Sequence, residues 1–419
     1  MIEFDEKDII YHGDYRDDLL SINLAITSYC NYQCSYCCAE MPPVNNNAAF
    51  IDYETIINVI DRFFLFNKNE YFIILTGGEP TIHPQFLDIL NYLNNTYIDK
   101  EIYLSIITNG ARSVEYYKNV FENTNNLKFL LRMSIHLEYA KIEHIKDIII
   151  LANQLNKNIL INLMLHPILK EERENVYNEL LKLRKNYKFD ISFDELQEGD
   201  NFDKLDRRYT IDDFNWIDKI NKEFNSLYPN NSSMYISTPS YIVNINNENV
   251  SIPKIEFNKA MRENKRSFKD MYCCYGINTF DIWGFGDTTG GACPMFKRYN
   301  IYDDFFNWYN IIGYTKCELE QCRCPFNDTL PKFRNENEAK KFVEEYKNKM
   351  NSLFISDMYQ QLNNYQYKLE NRIATLENKI NDNQMEILSS KFNKLIDILA
   401  WFIPIKKWRN NFRNKIHNM

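Results

Sequence analysis

Three thiols fall within eight residues in Cys30-Asn31-Tyr32-Gln33-Cys34-Ser35-Tyr36-Cys37, at a C-x3-C-x2-C spacing. Cysteine thiolates are the usual ligands of iron–sulfur clusters. Three thiolates from one tight loop would hold three corners of a four-iron cube and leave the fourth iron open to a small molecule. Taken alone, the C-x2-C pair reads equally as half a zinc site or a redox dithiol. A structural zinc wants a fourth protein ligand close by. Cys38 adjoins Cys37 and points elsewhere, and no His follows within reach of the loop. The spacing therefore favours a cluster over zinc without excluding zinc.

A second stretch, residues 71–80, reads Tyr-Phe-Ile-Ile-Leu-Thr-Gly-Gly-Glu-Pro. Its apolar run predicts a buried parallel strand that runs straight into Gly77-Gly78-Glu79-Pro80. Glycines at a strand end let the backbone approach a ligand closely. Glu79 offers carbonyl and carboxylate acceptors to an ammonium group. An ordinary strand-to-helix turn would also use Gly-Gly. Together the two stretches resemble the radical S-adenosylmethionine (SAM) superfamily. Its signature is C-x3-C-x-aromatic-C after the first strand and a GGEP-type turn after the second, here Cys30, Cys34, Tyr36 and Cys37, then Gly77 to Pro80.

That resemblance implies a 4Fe-4S cluster on Cys30, Cys34 and Cys37 with SAM on its open iron. One electron into the sulfonium would give methionine and a 5′-deoxyadenosyl radical, which abstracts a substrate hydrogen. It also implies a one-electron donor such as flavodoxin or ferredoxin. The SAM methionine would lie on the Gly77–Pro80 turn, with polar residues after strand four on ribose and carboxylate. Carried over residue by residue, the SAM contacts are Tyr36, Gly77, Gly78, Glu79, Pro80, Thr108, Asn109 and Ser134.

The elements that must position these residues alternate from about residue 20 to residue 196. Strands are expected at Leu20–Ile26, Tyr71–Leu75, Ile102–Ile107, Leu127–Ile135, Ile159–Leu165 and Phe189–Phe193. Between them run helices. The first is capped by Asp52 and runs to about Phe66, with Ile56, Ile57, Ile60, Phe63 and Phe64 on one face. Pro84 opens the second. Later ones cover Val114–Phe121, Ile142–Leu155 and Glu172–Leu183. Six β–α units in a row imply a parallel sheet with right-handed crossovers. Six are too few for a closed eight-stranded barrel, and the count matches the partial (β/α)6 barrel of the family resembled. Ligands of such sheets sit at the carboxyl ends of the strands. The polar residues there include His136, His166, Asp194 and Glu195. Asp194, Glu195 and His136 are the candidate catalytic groups, for proton removal.

A second cysteine group holds Cys273, Cys274, Cys293, Cys317, Cys322 and Cys324, around a hairpin with turns at Gly284, Gly286 and Gly290-Gly291. It resembles the SPASM/twitch extension of radical SAM enzymes, in its shorter, one-cluster form, because the full seven-cysteine set is missing. The resemblance implies an auxiliary 4Fe-4S cluster on one of Cys273 or Cys274 with Cys293, Cys322 and Cys324, and Cys317 as a substitute. Four thiolates suit a closed zinc site equally.

The 419 residues are too many for one simple core. The organisation expected is α/β: a radical SAM partial barrel over 1–199 and a connector of helix and strands over 200–270. A cysteine-rich auxiliary-cluster domain follows over 271–332. A helix and coiled coil come next over 333–389, then a basic amphipathic tail over 390–419. Formal net charge is −8, which gives the body no pull toward nucleic acid. The acidic N-terminus lacks the apolar core of a secretory signal. Ten cysteines without such a signal favour metal or cluster ligands in a reducing, cytoplasmic compartment over disulfides. No apolar run is long enough to span a membrane.

Beyond Ile355 a heptad places Leu362, Leu369 and Leu376 at one seam position and Ile373, Ile380 and Ile387 at the other, interrupted by Gln366 and Asn383. That pattern favours a two-stranded coiled coil, hence a homodimer. A single helix packed on its own barrel is the plainer reading. Residues 391–419 carry seven Lys/Arg against the single acid Asp397. With Trp401, Phe402, Trp408 and Phe412 they read as an interfacial contact on the inner face of a membrane. The tail is similar to those of bacterial surface-polysaccharide proteins. It favours oxidation or epimerisation of a surface-glycan sugar precursor, with peptide or protein modification as the alternative. A non-catalytic cluster or zinc protein acting in membrane-tethered assembly is the remaining class.

Overall fold

The structure is a computed structural model of the chain. It describes residues 9–11, 18–37, 50–198, 204–227, 240–253, 268–303, 306–319 and 330–377, with residues 393, 395, 396 and 410 besides. Cys322, Cys324, Ile380, Asn383, Ile387 and nearly all of the 390–419 tail lie outside the described residues. The chain divides into two compact units, Met1–Phe354 and Ile355–Met419. The boundaries expected at 199, 270 and 332 do not separate compact units.

Six strands and five helices alternate as their sequence patterns require. They are β1 Leu19–Ala25, α1 Tyr53–Phe64, β2 Glu70–Thr76, α2 Phe86–Thr96, β3 Glu101–Thr108 and α3 Val114–Glu122. Then come β4 Lys128–Ile135, α4 Ile142–Gln154, β5 Asn158–Met164, α5 Lys170–Arg184 and β6 Asp190–Asp194. The carboxylate of Asp52 caps α1, accepting from Thr55 N at 2.9 Å. Ile56, Val59, Ile60, Phe63 and Phe64 form its buried face. α2 starts at Phe86, two residues after Pro84, because a 3-10 turn at Pro80–Ile82 comes first. On the strands every second residue faces the helices: Leu20, Ile22 and Leu24 on β1 and Tyr71, Ile73 and Leu75 on β2 are wholly buried. Each such burial contributes roughly 1.5–3 kcal/mol.

The sheet is larger than the six expected strands. Beyond α6 (Ile211–Leu227) and a small sheet that pairs Ile9–Tyr11, Ser240–Ile245 and Glu248–Pro253, the chain forms β7 Tyr272–Tyr275 and β8 Thr279–Ile282. β9 Asp287–Thr289 and β10 Tyr299–Asn300 follow. β8 pairs in parallel with β1, Asp281 opposite Asn23, and β9 and β10 continue the sheet antiparallel. The nine-stranded order is β10-β9-β8-β1-β2-β3-β4-β5-β6. The hairpin around which the second cysteine group is spaced is thus sheet-continuous with the barrel. β7 instead sits between β11 (Gly313–Lys316) and β12 (Lys332–Phe333). A short helix, α7 Trp308–Ile311, packs Trp308 against Phe63 and Phe280. Finally, one helix, α8, runs Glu336–Glu377 and carries the described part of the heptad as continuous helix. Among the described residues no helix is long and apolar enough to cross a membrane.

Candidate cluster and cofactor site

The turn after β2 is built around the backbone that leads into the cysteine loop. Gly78 N donates to Thr27 O at 2.9 Å and Glu79 N to Tyr29 O at 2.8 Å. A Cβ on Gly77, at φ +147°, would lie 2.3 Å from Thr27 O, and one on Gly78 would lie 2.1 Å from Tyr29 O. The two glycines are required first by this backbone-on-backbone approach. It fixes the start of the Cys30 loop over the carboxyl ends of β1 and β2.

Glu79 is placed differently from the expectation that its carboxylate meets an ammonium group. It is 1% exposed. Oε1 accepts from Thr81 N at 3.1 Å, Thr81 Oγ1 at 2.6 Å and Thr108 Oγ1 at 2.8 Å, and Oε2 accepts from Asn109 N at 2.6 Å. The carboxylate is consumed in tying the turn to the end of β3. Burial nevertheless raises its pKa. Only the backbone of this turn is left to meet a ligand. The Thr108 hydroxyl is likewise taken up, between Glu79 and Tyr117. Asn109 turns to the cysteine loop: its Nδ2 donates to Asn31 Oδ1 at 2.8 Å and reaches Cys30 Sγ at 3.7 Å. Hydrogen bonds to ligand sulfurs are one of the protein's means of setting cluster potential. Ser134 is half-buried on the inner face of β4.

The other side of the loop is held by the segment after β4. Ser35 N donates to Glu138 Oε2 at 2.8 Å, and Ser35 Oγ bonds Glu138 Oε1. Tyr139 OH donates to Gln33 O at 2.8 Å, and its ring stacks on Tyr32 at 4.7 Å. Tyr36 OH lies 2.9 Å from His136 Nδ1, with the rings stacked. Burial lowers the His136 pKa to about 4. A neutral imidazole whose Nδ1 is taken by a phenol is a poor base near pH 7, so the structure makes His136 a holder of Tyr36 rather than a proton acceptor. His166 is also structural: Nδ1 accepts from Ile168 N and Leu169 N, both at 3.2 Å, and Nε2 lies 3.6 Å from Glu138 Oε1. Sequence reasoning missed Glu138 and Tyr139, for which position after strand four is the only signal. Of the proposed bases Asp194 stays in the barrel, its pKa raised by burial against the opposing charge of Arg132. Glu195 is half-buried beside it.

The three thiols share one electrostatic neighbourhood. Burial, then Glu138 and the other two cysteines, push Cys34 up to about 12, and burial also raises Cys30. A redox dithiol shows the opposite shift, a depressed pKa. Thiols this reluctant to ionise become thiolates when bound cations compensate them. Among the described residues no three His, Cys, Asp or Glu side chains converge on a single-ion position. The donor set of Cys30, Cys34 and Cys37, partly exposed on one loop, fits a multi-iron cluster with ligands on separate corners.

In the second cysteine group the alternation of β7 sends neighbouring thiols apart. Cys273 joins Cys293 and Cys317 in lining an open pocket with Phe296, Leu330 and Lys332. Cys274 points into the main core instead, its Sγ 3.9 Å from Ala339 O, and burial raises its pKa strongly. Of that pair, Cys273 thus shares a pocket with Cys293 and Cys317, and Cys274 does not.

Residues 24–180 match the family described as Radical SAM superfamily. These residues form a radical SAM domain, which takes up a little over a third of the chain. That family uses a 4Fe-4S cluster and SAM, the group that the cysteine loop fits. Among curated proteins the chain is 35% identical over 92 residues to a GTP 3′,8-cyclase of Haemophilus influenzae (strain 86-028NP), covering 22% of this chain and 26% of that protein. It is 37% identical over 90 residues to an S-adenosylmethionine-dependent nucleotide dehydratase of Selenomonas ruminantium, covering 22% and 30%. The chain thus spans between a quarter and a third of these relatives' length. A solved structure described as native anSMEcpe with bound AdoMet and Cp18Cys peptide aligns with TM-score 0.46 at 18% identity, over 82% of this chain and 99% of that one.

Proposed function

We propose that this protein is a cytoplasmic radical SAM enzyme that oxidises or epimerises a sugar precursor of a surface glycan. When bound, the cluster and SAM supply one-electron cleavage of the sulfonium and a 5′-deoxyadenosyl radical that takes a hydrogen atom from the substrate. Cys30, Cys34 and Cys37 would hold the cluster. Gly77, Gly78 and Pro80 would present backbone to the SAM methionine, with Tyr36, Asn109 and Ser134 beside it. Asn109 supports the Cys30 sulfur, and Glu138 and Tyr139 keep the loop over the barrel. Asp194 is the group left for moving a substrate proton. The observation that carries the reading is the Gly77–Gly78 turn, welded by hydrogen bonds to the backbone that enters the three-thiol loop.

Cys273, Cys293 and Cys317 would anchor a second, auxiliary cluster, with Cys322 and Cys324 available from outside the described residues. The heptad along α8 supports pairing of two chains, and the basic aromatic tail supports contact with an anionic membrane surface. Nucleotide names among the relatives agree with a small polar substrate rather than a protein.

The test is anaerobic. Reconstituted protein with SAM and dithionite should form 5′-deoxyadenosine, and the Cys30→Ala/Cys34→Ala/Cys37→Ala variant should form none. That variant should keep about four irons per chain, as one all-cysteine cube requires. Reductive cleavage in the triple variant would overturn the assignment, and stoichiometric zinc without residual iron would overturn the auxiliary cluster.

A further inference from the structure

The stretch between the second and third thiols is held by side chains from two other strand ends. Ser35 and Tyr36 separate Cys34 from Cys37. Glu138, just beyond β4, takes both donors of Ser35. Its Oε2 accepts from Ser35 N at 2.8 Å, and its Oε1 accepts from Ser35 Oγ. The Tyr36 ring meets two imidazoles, stacked on His136 and edge-on to His166 at 5.3 Å.

His166, just beyond β5, faces Glu138 with one particular nitrogen. Its Nδ1 accepts from Ile168 N and Leu169 N, so it carries no hydrogen. Burial lowers the pKa of the ring, so the ring is neutral and its hydrogen sits on Nε2. Nε2 is buried without a hydrogen-bond partner and lies 3.6 Å from Glu138 Oε1. The backbone of His166 is held as well. Buried Arg173 donates from Nη1 to His166 O at 3.4 Å and from Nη2 to buried Asp213 at 2.6 Å, which ties the segment to α6. Buried polar atoms ordinarily find partners, and the Glu138 carboxylate is the acceptor in front of this N–H.

The hold on Ser35 is charged where a neutral one would serve. Ser35 N and Oγ need acceptors only, which an amide also supplies. Elsewhere along the loop neutral groups do the same work, Asn109 Nδ2 on Asn31 and Tyr139 OH on Gln33 O. Among the described residues the ion-pair neighbour of Glu138 is His166, whose ring is neutral. The Glu138 side chain is only 21% exposed, so water screens its charge in part. A carboxylate without a compensating cation thus stands on the residue next to Cys34.

Charge and hydrogen bonds around an iron–sulfur cluster set its potential, and a negative charge disfavours adding an electron. Cleaving a sulfonium with one electron asks for a strong reductant, hence a low potential. We infer that Glu138, faced by the fixed Nε2–H of His166, is a positioning residue whose negative charge lowers the reduction potential of the cluster on the cysteine loop. The inference rests on the proposed cluster at Cys30, Cys34 and Cys37 and adds a residue outside the thiol set. A unit charge roughly 10 Å away, in a medium between protein and water, changes an equilibrium about fivefold.

The experiment is a redox titration of the anaerobically reconstituted full chain, read by electron paramagnetic resonance. The signal followed is the one that changes when SAM is added, which separates this cluster from any second one. Glu138→Gln keeps the length and an acceptor for Ser35 N while removing the charge. It should take up wild-type iron. At any fixed potential its ratio of reduced to oxidised cluster should rise about fivefold, a shift of roughly 40 mV at about 59 mV per tenfold for one electron. Glu138→Asp keeps the charge and should stay within about twofold of wild type on the same scale. If Glu138→Gln loses its iron, Glu138→Ser, which leaves room for water at Ser35 N, is titrated with the same expectation. An unchanged or lower potential in the neutral variant, an equal rise in Glu138→Asp, or loss of iron from both neutral variants would overturn the inference and leave Glu138 a strut. A wild-type chain with no SAM-responsive signal would sink the cluster reading instead.

Discussion

Replacing Asp281 by Asn should make the folded chain more stable at neutral pH, although it removes the charge from a charge-assisted hydrogen bond. Asp281 is 3% exposed, and its only hydrogen-bond partner among the described residues is Asn23. Burial pushes its carboxyl from 3.8 up to about 6, with the Asn23 contact opposing. The folded pKa is raised, so the stability this group confers is complete below about pH 4 and is lost as pH rises through about 6. A gap of about two units is worth roughly 3 kcal/mol in all. About 2 kcal/mol of it disappears between pH 4 and 6, and about 0.8 kcal/mol between pH 5.5 and 8. Asn does not titrate and keeps the acceptor. Its advantage over Asp should therefore grow with pH, by roughly 1 °C in melting temperature across the pH 5.5–8 window that spares an iron–sulfur site. Paired thermal melts of wild type and Asp281→Asn at four pH values measure this directly. A difference that stays flat or shrinks with rising pH would refute the reasoning.

Two other predictions concern the thiol sites. Gly78→Ala would drive a Cβ to within 2.1 Å of Tyr29 O; the loop should shift, and iron bound at the Cys30 site after reconstitution should fall severalfold while far-UV circular dichroism is kept. Wild-type iron in that variant would mean the loop does not depend on the turn. Cys273→Ser should remove the second metal centre, whereas Cys274→Ser should keep it and lower only the melting temperature, since that thiol packs in the core beside Ala339. Equal metal loss in both would contradict the split across β7.

Much of the barrel was legible because each β–α unit carries its own local signal. Asp52 caps, α1 shows its apolar face, and β2 runs apolar into Gly77-Gly78. The pairing of β8 with β1 was not legible: its partner residues lie more than 250 positions apart, and a short run such as Thr279–Ile282 announces a strand without a neighbour. The site was legible as composition and only partly as geometry. Glu79 stood out as an acceptor, yet the four donors that consume it come from Thr81, Thr108 and Asn109, and the two from β3's end reach it only once the sheet is formed. His136 stood out as a base, but burial against Tyr36 removes that role. The choice between Cys273 and Cys274 needed only the knowledge that Tyr272–Tyr275 is a strand, since adjacent strand residues face opposite ways.

Three residues that the sequence pattern hides share one trait: they are polar side chains in the middle of strands chosen for being apolar. Arg132 sits in Phe129-Leu130-Leu131-Arg132-Met133-Ser134, Asn162 in Leu160-Ile161-Asn162-Leu163, and Asp281 in Phe280-Asp281-Ile282. A hydrophobicity pattern absorbs one polar residue in such a run as noise. Placing a charge inside a parallel sheet is costly unless something repays its lost hydration, and a buried partner repays only part for Asn23 and Ser192 and nothing for Arg132 Nε. These three exceptions, read by register, all fall on the inner face of the sheet, at depths up to four residues apart. Scattered tolerance of polar residues would not sort them onto the one face that the helices leave uncovered.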